Sequence, residues 1–270
     1  MEPAYILLRL IRRFQPEGLT RFLLRRGLII RPGLETREPA SAVERYGRTL
    51  EAHSASLDGK RVLVFGYGGN YAIGAELLRA GAAHVVLLDR FAPPDDQRNR
   101  ELVRAYPGYF SLQGNRVITA EAFLTVIHAD VKNIQTGQKF DLVVSSSVYE
   151  HLDDVDGLTS ALAALTAPDG IHIHYVDLRD HYFKLPFEML KFSEGIWKRW
   201  LNPTSNLNRF RLRDYQGVFG RYFRDVSISI LARDAEAFER ARGGIRPEFL
   251  TGEDSQDMVT LIEVVASNPK

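Results

Sequence analysis

The period of the apolar residues changes several times along the chain, and each change marks an element. Val62 to Phe65 is a continuous β-favouring run that stops at Gly66. From Ala72 to Ala80 apolar residues return at helical spacing until Gly81, and His84 to Leu88 is a second apolar run closed by Asp89. The order is strand, glycine turn, helix, strand and acid, with about twenty residues between turn and acid, as in a nucleotide-binding βαβ unit. From Phe91 to Thr125 there is no strong strand signal, which predicts loop and helices. Val126 to Val131 predicts a third strand ending in Asp130, and Phe140 to Ser145 a fourth. A helix carrying Leu158, Leu162 and Leu165 follows, then a Pro168-Asp169-Gly170 turn and a fifth strand from Ile171 to Leu178. Asp214 is expected to cap a helix through Phe219 and Tyr222. Val226 to Ala232 and Met258 to Ala266 alternate as late strands, bringing the predicted sheet to seven.

Before this unit the pattern is helical and basic. Ile6, Leu7, Leu10, Ile11 and Phe14 recur at helical spacing between Arg9, Arg12 and Arg13. Arg21, Arg25, Arg26 and Arg31 follow, against only Glu2 and Glu17. An amphipathic helix with a basic face either lies on an anionic membrane or packs on the domain as a lid or oligomer contact. Prolines and a glycine in Arg31 to Ala40 predict a connector, after which Ser41 is expected to cap a helix with Val43, Tyr46 and Leu50 on one face. Such a helix commonly lies over a cofactor mouth, where Tyr46 either touches the ligand's carboxylate or simply packs. The expected organisation is a helical extension over residues 1–55 and one wound α/β domain over 56–270, including an insertion at 179–213.

Composition narrows the class. At 270 residues the chain has room for one substantial core. It has no cysteine, which excludes disulfides, thiolate metal sites and a cysteine nucleophile. The net charge of +1 gives no argument for nucleic acid. No apolar run approaches the roughly twenty residues needed to span a bilayer, and the expected location is cytoplasmic.

The glycine turn carries the chemistry. Gly66, Gly68 and Gly69 allow a sharp turn and close approach of a ligand to backbone. The free N–H groups of the next helix face the same place. Asp89, at a strand's carboxyl end, is placed to accept from the hydroxyls of an adenosine ribose. A dinucleotide fingerprint would carry its third glycine at Tyr71. With Gly66, Tyr67, Gly68, Gly69 and Asn70 followed by tyrosine, the loop instead resembles the first motif of the class I S-adenosylmethionine-dependent methyltransferases. The same resemblance extends to Asp130, to the acid Asp141 near the start of strand four, and to the Val148-Tyr149-Glu150-His151 run after it. It also takes in the proline and glycine turn before strand five and the pair of late strands.

That resemblance implies a Rossmann-like, doubly wound, seven-stranded sheet with its last strand antiparallel, and S-adenosylmethionine as cofactor. It implies a binding shell of the loop residues Gly66 to Asn70 with Asp89 and Arg90. Asp130 would accept from the adenine amino group, beside Val131, with Ser146 and Tyr46 completing the shell. A small-molecule acceptor follows, with a hydroxyl on a sugar-like or secondary-metabolite compound preferred. A hydroxyl calls for a base, and imidazoles titrate near neutrality. His181 and His151 follow strand ends at the ligand edge, and Asp177 either orients one of them or acts itself.

Phe183, Phe187, Phe192, Trp197 and Trp200 either line an acceptor pocket or form the core of the insertion. Asn206, Asn208, Arg209, Arg211 and Arg213 either bind a polar acceptor or form a solvated face. His172 and His174, on one face of strand five, are a conceivable metal pair, but a satisfied buried pair is expected and no metal is assigned. Two other classes remain: a nicotinamide-dependent oxidoreductase, opposed by Tyr71, and a non-catalytic binding protein on the same fold.

Overall fold

The structure is a computed structural model and describes residues 2–14, 34–135, 137–180, 185–202 and 207–270. In chain order it has α1 (Pro3–Phe14), α2 (Pro39–Ala52), β1 (Arg61–Phe65), α3 (Ala72–Arg79), β2 (His84–Leu88) and α4 (Asp96–Ala105). These are followed by β3 (Phe110–Gln113), β4 (Arg116–Thr119), β5 (Leu124–Ile127), β6 (Phe140–Ser146), α5 (Val155–Ala164) and β7 (Thr166–Asp177). The chain closes with α6 (Leu212–Tyr222), β8 (Phe223–Arg233), α7 (Ala235–Arg242) and β9 (Val259–Pro269).

Seven strands form one sheet in the order β5-β2-β1-β6-β7-β9-β8, parallel except for β9, which runs antiparallel to both neighbours. The expected doubly wound sheet with a reversed last strand is therefore present. Strands β1 and β2 are nearly unbroken apolar runs because both faces are covered. Val62, Val64, Val85 and Leu87 pack with α2 and α3 on one face. Leu63, Phe65, Val86 and Leu88 face α5 and α6 on the other. A third cluster lies apart from the sheet, where Tyr5 of α1, Phe187, Phe192 and Trp197 of the insertion, and Phe238 of α7 pack together. Helices α1 and α2 thus go to different places.

Several local expectations are corrected. The stretch read as loop and helices contains the hairpin β3–β4, turned by Gly114 and Asn115, with Gly114 at φ +60°. Glycine followed by asparagine between short apolar runs was the available signal. The third parallel strand is β5, which ends at Ile127, and Asp130 caps the turn Val131–Asn133 instead of closing a strand. Pro168 to Gly170 lie inside β7 as a bulge: Phe140 pairs with Thr166 and Leu142 already with Ile171. A Cβ on Gly170 would stand 2.9 Å from the Phe140 carbonyl oxygen. Pro39 opens α2, and Ser41 lies inside that helix. Asp214 sits in the first turn of α6, where it accepts from the Arg211 N–H at 2.7 Å.

Candidate cofactor site

The turn after β1 sits at the carboxyl edge of the sheet, where ligands bind in open wound folds. Gly66, Gly68 and Gly69 all adopt positive φ, at +83°, +69° and +83°. A Cβ on Gly66 would meet the Val148 side chain at 2.5 Å and one on Gly69 the Pro93 carbonyl at 2.6 Å, whereas the space beside Gly68 is open. The loop is held from three directions. Asn70 Oδ1 accepts from the Ala72 N–H at 2.9 Å, a side-chain turn that leads into α3. Asn99, fully buried on α4, accepts from the Tyr71 N–H and donates to the Gly69 carbonyl, both at 2.9 Å. Asp89 Oδ2 accepts from the Gly68 N–H at 3.0 Å. Tyr71 stacks on Phe110 of the hairpin, and burial pushes its phenol up to about 12. Tyr67 is also buried; its hydroxyl has no hydrogen-bond partner among the described residues. Burial, with Tyr71 and Asp89 nearby, holds that phenol well above its ordinary range.

Asp89 accepts three backbone N–H groups, since its Oδ1 also takes those of Phe91 at 2.7 Å and Ala92 at 2.8 Å. A carboxylate has about four acceptor positions. The acid is therefore a latch on the loop that still has room for one hydroxyl. Asp130 accepts from Arg90 Nη1 at 2.8 Å and from the Lys132 N–H at 3.0 Å. A cavity of about 310 Å³ lies between these groups, lined among others by Gly66, Asp89, Arg90, Asp130, Val131 and His151. Ser147 also lines it, at φ +56° directly after β6. A non-glycine residue held there is the kind of strain that collects at ligand sites.

The sequence brought other candidates to this edge for which the structure shows different tasks. Tyr46 is fully buried, donates its hydroxyl to Glu35 and packs on Tyr175; neither it nor Arg45 lines the cavity. Burial raises the Glu35 carboxyl to about 7, against the Tyr46 hydrogen bond and the Arg45 charge. The neighbouring residue, Arg45, is the one that faces the strand ends. Its guanidinium lies 3.4 Å over the Tyr175 ring, and Nη2 reaches Ser146 Oγ at a long 3.4 Å. Its buried Nε has no partner among the described residues. Asp177 is gripped by Arg179, whose Nε and Nη2 reach its two oxygens at 2.9 and 2.6 Å. His181, Phe183 and Asn206 lie outside the described residues.

The Val148 to His151 run splits its duties. Tyr149 enters the core against Phe65, His174 and Phe219. Glu150 is buried and its carbonyl accepts from the Asn208 N–H at 2.8 Å, while burial raises its carboxyl well above the usual range. Only His151 lines the cavity along with Val148.

The described residues of the polar patch, Asn208, Arg209, Arg211 and Arg213, make structural contacts. Asn208 donates to the Tyr149 and Leu152 carbonyls, and Arg211 to those of Leu178, Asp257 and Val259. Arg209 donates to Met189 and Phe192 carbonyls, and Arg213 to those of Leu250 and Glu248. Phe187, Phe192 and Trp197 are likewise core, and among the described ones of these aromatic residues only Trp200 is exposed.

His172 and His174 form a closed row inside β7. Thr166 donates to the Leu162 carbonyl, so its oxygen must accept from His172 Nε2, at 2.7 Å. His172 Nδ1 then accepts from His174 Nε2 at 3.1 Å, and His174 Nδ1 accepts from Ser145 at 2.7 Å. Both rings are fully buried; burial lowers His172 to about 3 and, with His172 beside it, His174 well below its usual value. Among the described residues no group of three or more His, Cys, Asp or Glu side chains is arranged to hold a metal ion.

Fold and edge together define a wound α/β domain that binds an adenosine-bearing cofactor. The sequence matches the methyltransferase domain family over residues 34–228, and the chain belongs to that family. No curated protein matches it. Among solved structures it is similar to phosphoethanolamine N-methyltransferase 2 of Haemonchus contortus, in complex with phosphomonomethylethanolamine and S-adenosylhomocysteine. The identity is 14%, covering 94% of this chain and 57% of that one, with a TM-score of 0.56. It is also similar to magnesium protoporphyrin IX methyltransferase of Synechocystis PCC 6803 with bound S-adenosylhomocysteine. There the identity is 17%, over 84% of this chain and 83% of that one, with a TM-score of 0.48. S-adenosylmethionine is the cofactor of this family, and the open backbone at Gly68, the spare acceptor position on Asp89 and the size of the cavity suit it.

Proposed function

We propose that this chain moves a methyl group from S-adenosylmethionine to a hydroxyl of a small sugar-like or secondary-metabolite acceptor. The observation that carries the reading is one cavity at the carboxyl edge of the sheet, ringed by Gly66, Asp89, Asp130 and His151. The cofactor supplies an electrophilic methyl carbon on a positively charged sulfur. The protein's own tasks are to hold an acceptor in line with that carbon and to take its proton, and positioning supplies much of the rate.

In this reading Asp89 accepts from a ribose hydroxyl without giving up a backbone bond, and Asp130 accepts from the adenine amino group. The Gly66 to Asn70 backbone lies along the amino-acid portion, and Arg45, not Tyr46, meets its carboxylate. His151 shares its cavity with Asp89 and Asp130, which favours a cofactor-side role, so the base falls to His181. Asp177, with both oxygens engaged by Arg179, orients.

Calorimetric titration with S-adenosylmethionine, S-adenosylhomocysteine and NAD tests the cofactor: micromolar binding of the first two and none of the third is expected. Transfer of labelled methyl to matched hydroxyl and amine acceptors tests the atom. Transfer to amines alone overturns the hydroxyl preference. Binding without transfer to any acceptor overturns catalysis. Replacing His181 with Ala should slow transfer at least about a hundredfold while leaving cofactor affinity unchanged; an active variant removes it as the base.

A further inference from the structure

Helix α1 packs a mixed face inward: Ile6 and Leu10 lie partly buried against the third cluster, beside buried polar groups. Tyr5, Arg9 and Arg12 are buried, and Arg9 pairs with Asp180, which also accepts the Tyr5 hydroxyl. The Arg9 guanidinium lies 4.7 Å over the Trp197 ring. The opposite stripe is apolar and faces out: Leu7 is 60% exposed, Leu8 43%, Ile11 52% and Phe14 74%. A helix that only needed to cover a core would bury those residues and leave its arginines in water. Here a buried ion pair, itself expensive to desolvate, holds the apolar face outward.

The stripe continues onto the insertion. The Arg13 guanidinium lies over both the Phe14 and Trp200 rings, at 5.7 and 4.8 Å, and Arg13 donates to the Arg199 carbonyl. Trp200 and Ile196 are exposed at 45% and 48%. Lys198 and Arg199 are exposed beside them, and the nearby acid, Glu194, is engaged by Lys198 and Arg209.

We propose that this surface seats on an anionic membrane. Leu7, Leu8, Ile11 and Phe14 enter the acyl boundary, Trp200 sits at headgroup level, and Arg13, Lys198 and Arg199 meet lipid phosphates. Apolar length, interfacial indole and flanking cations are the features of a helix lying in the interface plane. On α1 the stripe from Leu7 to Phe14 is only about 11 Å long, and with the two exposed apolar residues of the insertion it stays narrow for a stable protein interface. Among the described residues no helix is long and apolar enough to cross a membrane, so the contact is a lying one.

The test is flotation of the full chain with vesicles of phosphatidylcholine alone and of phosphatidylcholine with roughly a third phosphatidylglycerol. Binding to the anionic vesicles at least about tenfold tighter than to the neutral ones is expected, the cations supplying the difference. The double variant Ile11→Ser with Phe14→Ser should lose at least about tenfold of that binding while keeping its affinity for S-adenosylmethionine, which shows it folded. No binding to anionic vesicles, or binding indifferent to the double variant, overturns the proposal. So does a dimer in light scattering that the double variant dissociates while vesicle binding is absent.

Discussion

The Asp89 edge and the His172–His174 row are both polar clusters carried on strands of one sheet, yet they balance their hydrogen bonds in opposite ways. In the row each donor has one acceptor, from Ser145 through two imidazoles to Thr166 and the Leu162 carbonyl. At the edge something is left over: an acceptor position on Asp89, the Tyr67 hydroxyl, and Nε of Arg45. Buried nitrogens without a partner among the described residues also occur at Arg61 and Arg211, away from this edge, so spare capacity alone does not place a ligand. Histidine titrates near neutrality and so suits proton transfer, yet two of the histidines here serve only the fold.

The two clusters should therefore come apart under perturbation, the row affecting stability and the edge affecting binding. The largest effect is on the row at low pH. Both imidazoles are depressed in the folded protein and ordinary in the unfolded chain, so below about pH 6.5 the unfolded state binds protons that the folded state refuses. Their contribution is fully present above that pH and is lost as pH falls towards the folded values. Glu35, raised to about 7, acts in the opposite sense, because the folded state holds its proton up to that pH. The clean measurement is the difference in unfolding free energy between the natural chain and a His172→Gln, His174→Gln variant. That difference should move against the natural chain by on the order of 1 kcal/mol per pH unit for each histidine. A pH-independent difference would mean the rings titrate normally.

At neutral pH, His174→Ala leaves Ser145 and His172 without their partner and opens a void. We expect about 3 kcal/mol lost in denaturant unfolding, with cofactor affinity unchanged. Asp89→Ala should do the reverse in emphasis, weakening S-adenosylmethionine by roughly 1 to 3 kcal/mol in calorimetry. An unchanged affinity would remove Asp89 from the site. The smallest effect is Arg45→Ala, about tenfold in affinity for one charge-assisted contact, with stability nearly untouched. If Tyr46→Phe weakens binding more than Arg45→Ala, the assignment between these neighbours is inverted.

The two stretches that read as continuous apolar runs became β1 and β2 because a doubly covered sheet demands that composition. Asp89 was legible for the same reason: it stops such a run. What was not legible depends on direction. A helical pattern shows that a stripe exists, not which way it faces: of the predicted α1 stripe Ile6 and Leu10 pack inward and Leu7, Ile11 and Phe14 face out, while α2 turned its own inward. Arg45 and Tyr46 differ by one step on a helix, and that step separates the strand ends from the core. Asn99 and Ser147 carry no local signature, since one acts through a loop thirty residues earlier and the other through its φ. Arg209 and Arg211 looked like a surface patch because the carbonyls that absorb them come from distant segments.

The pair between Arg9 and Asp180 joins residues 171 positions apart. During synthesis α1 leaves the ribosome well before its anchor, which does not exist until β7 has been made and laid into the sheet. At ordinary elongation rates that is a wait of roughly 10 to 30 s. For that interval the helix has both stripes uncovered, so the growing chain itself presents an apolar, cationic segment well before the domain behind it has folded.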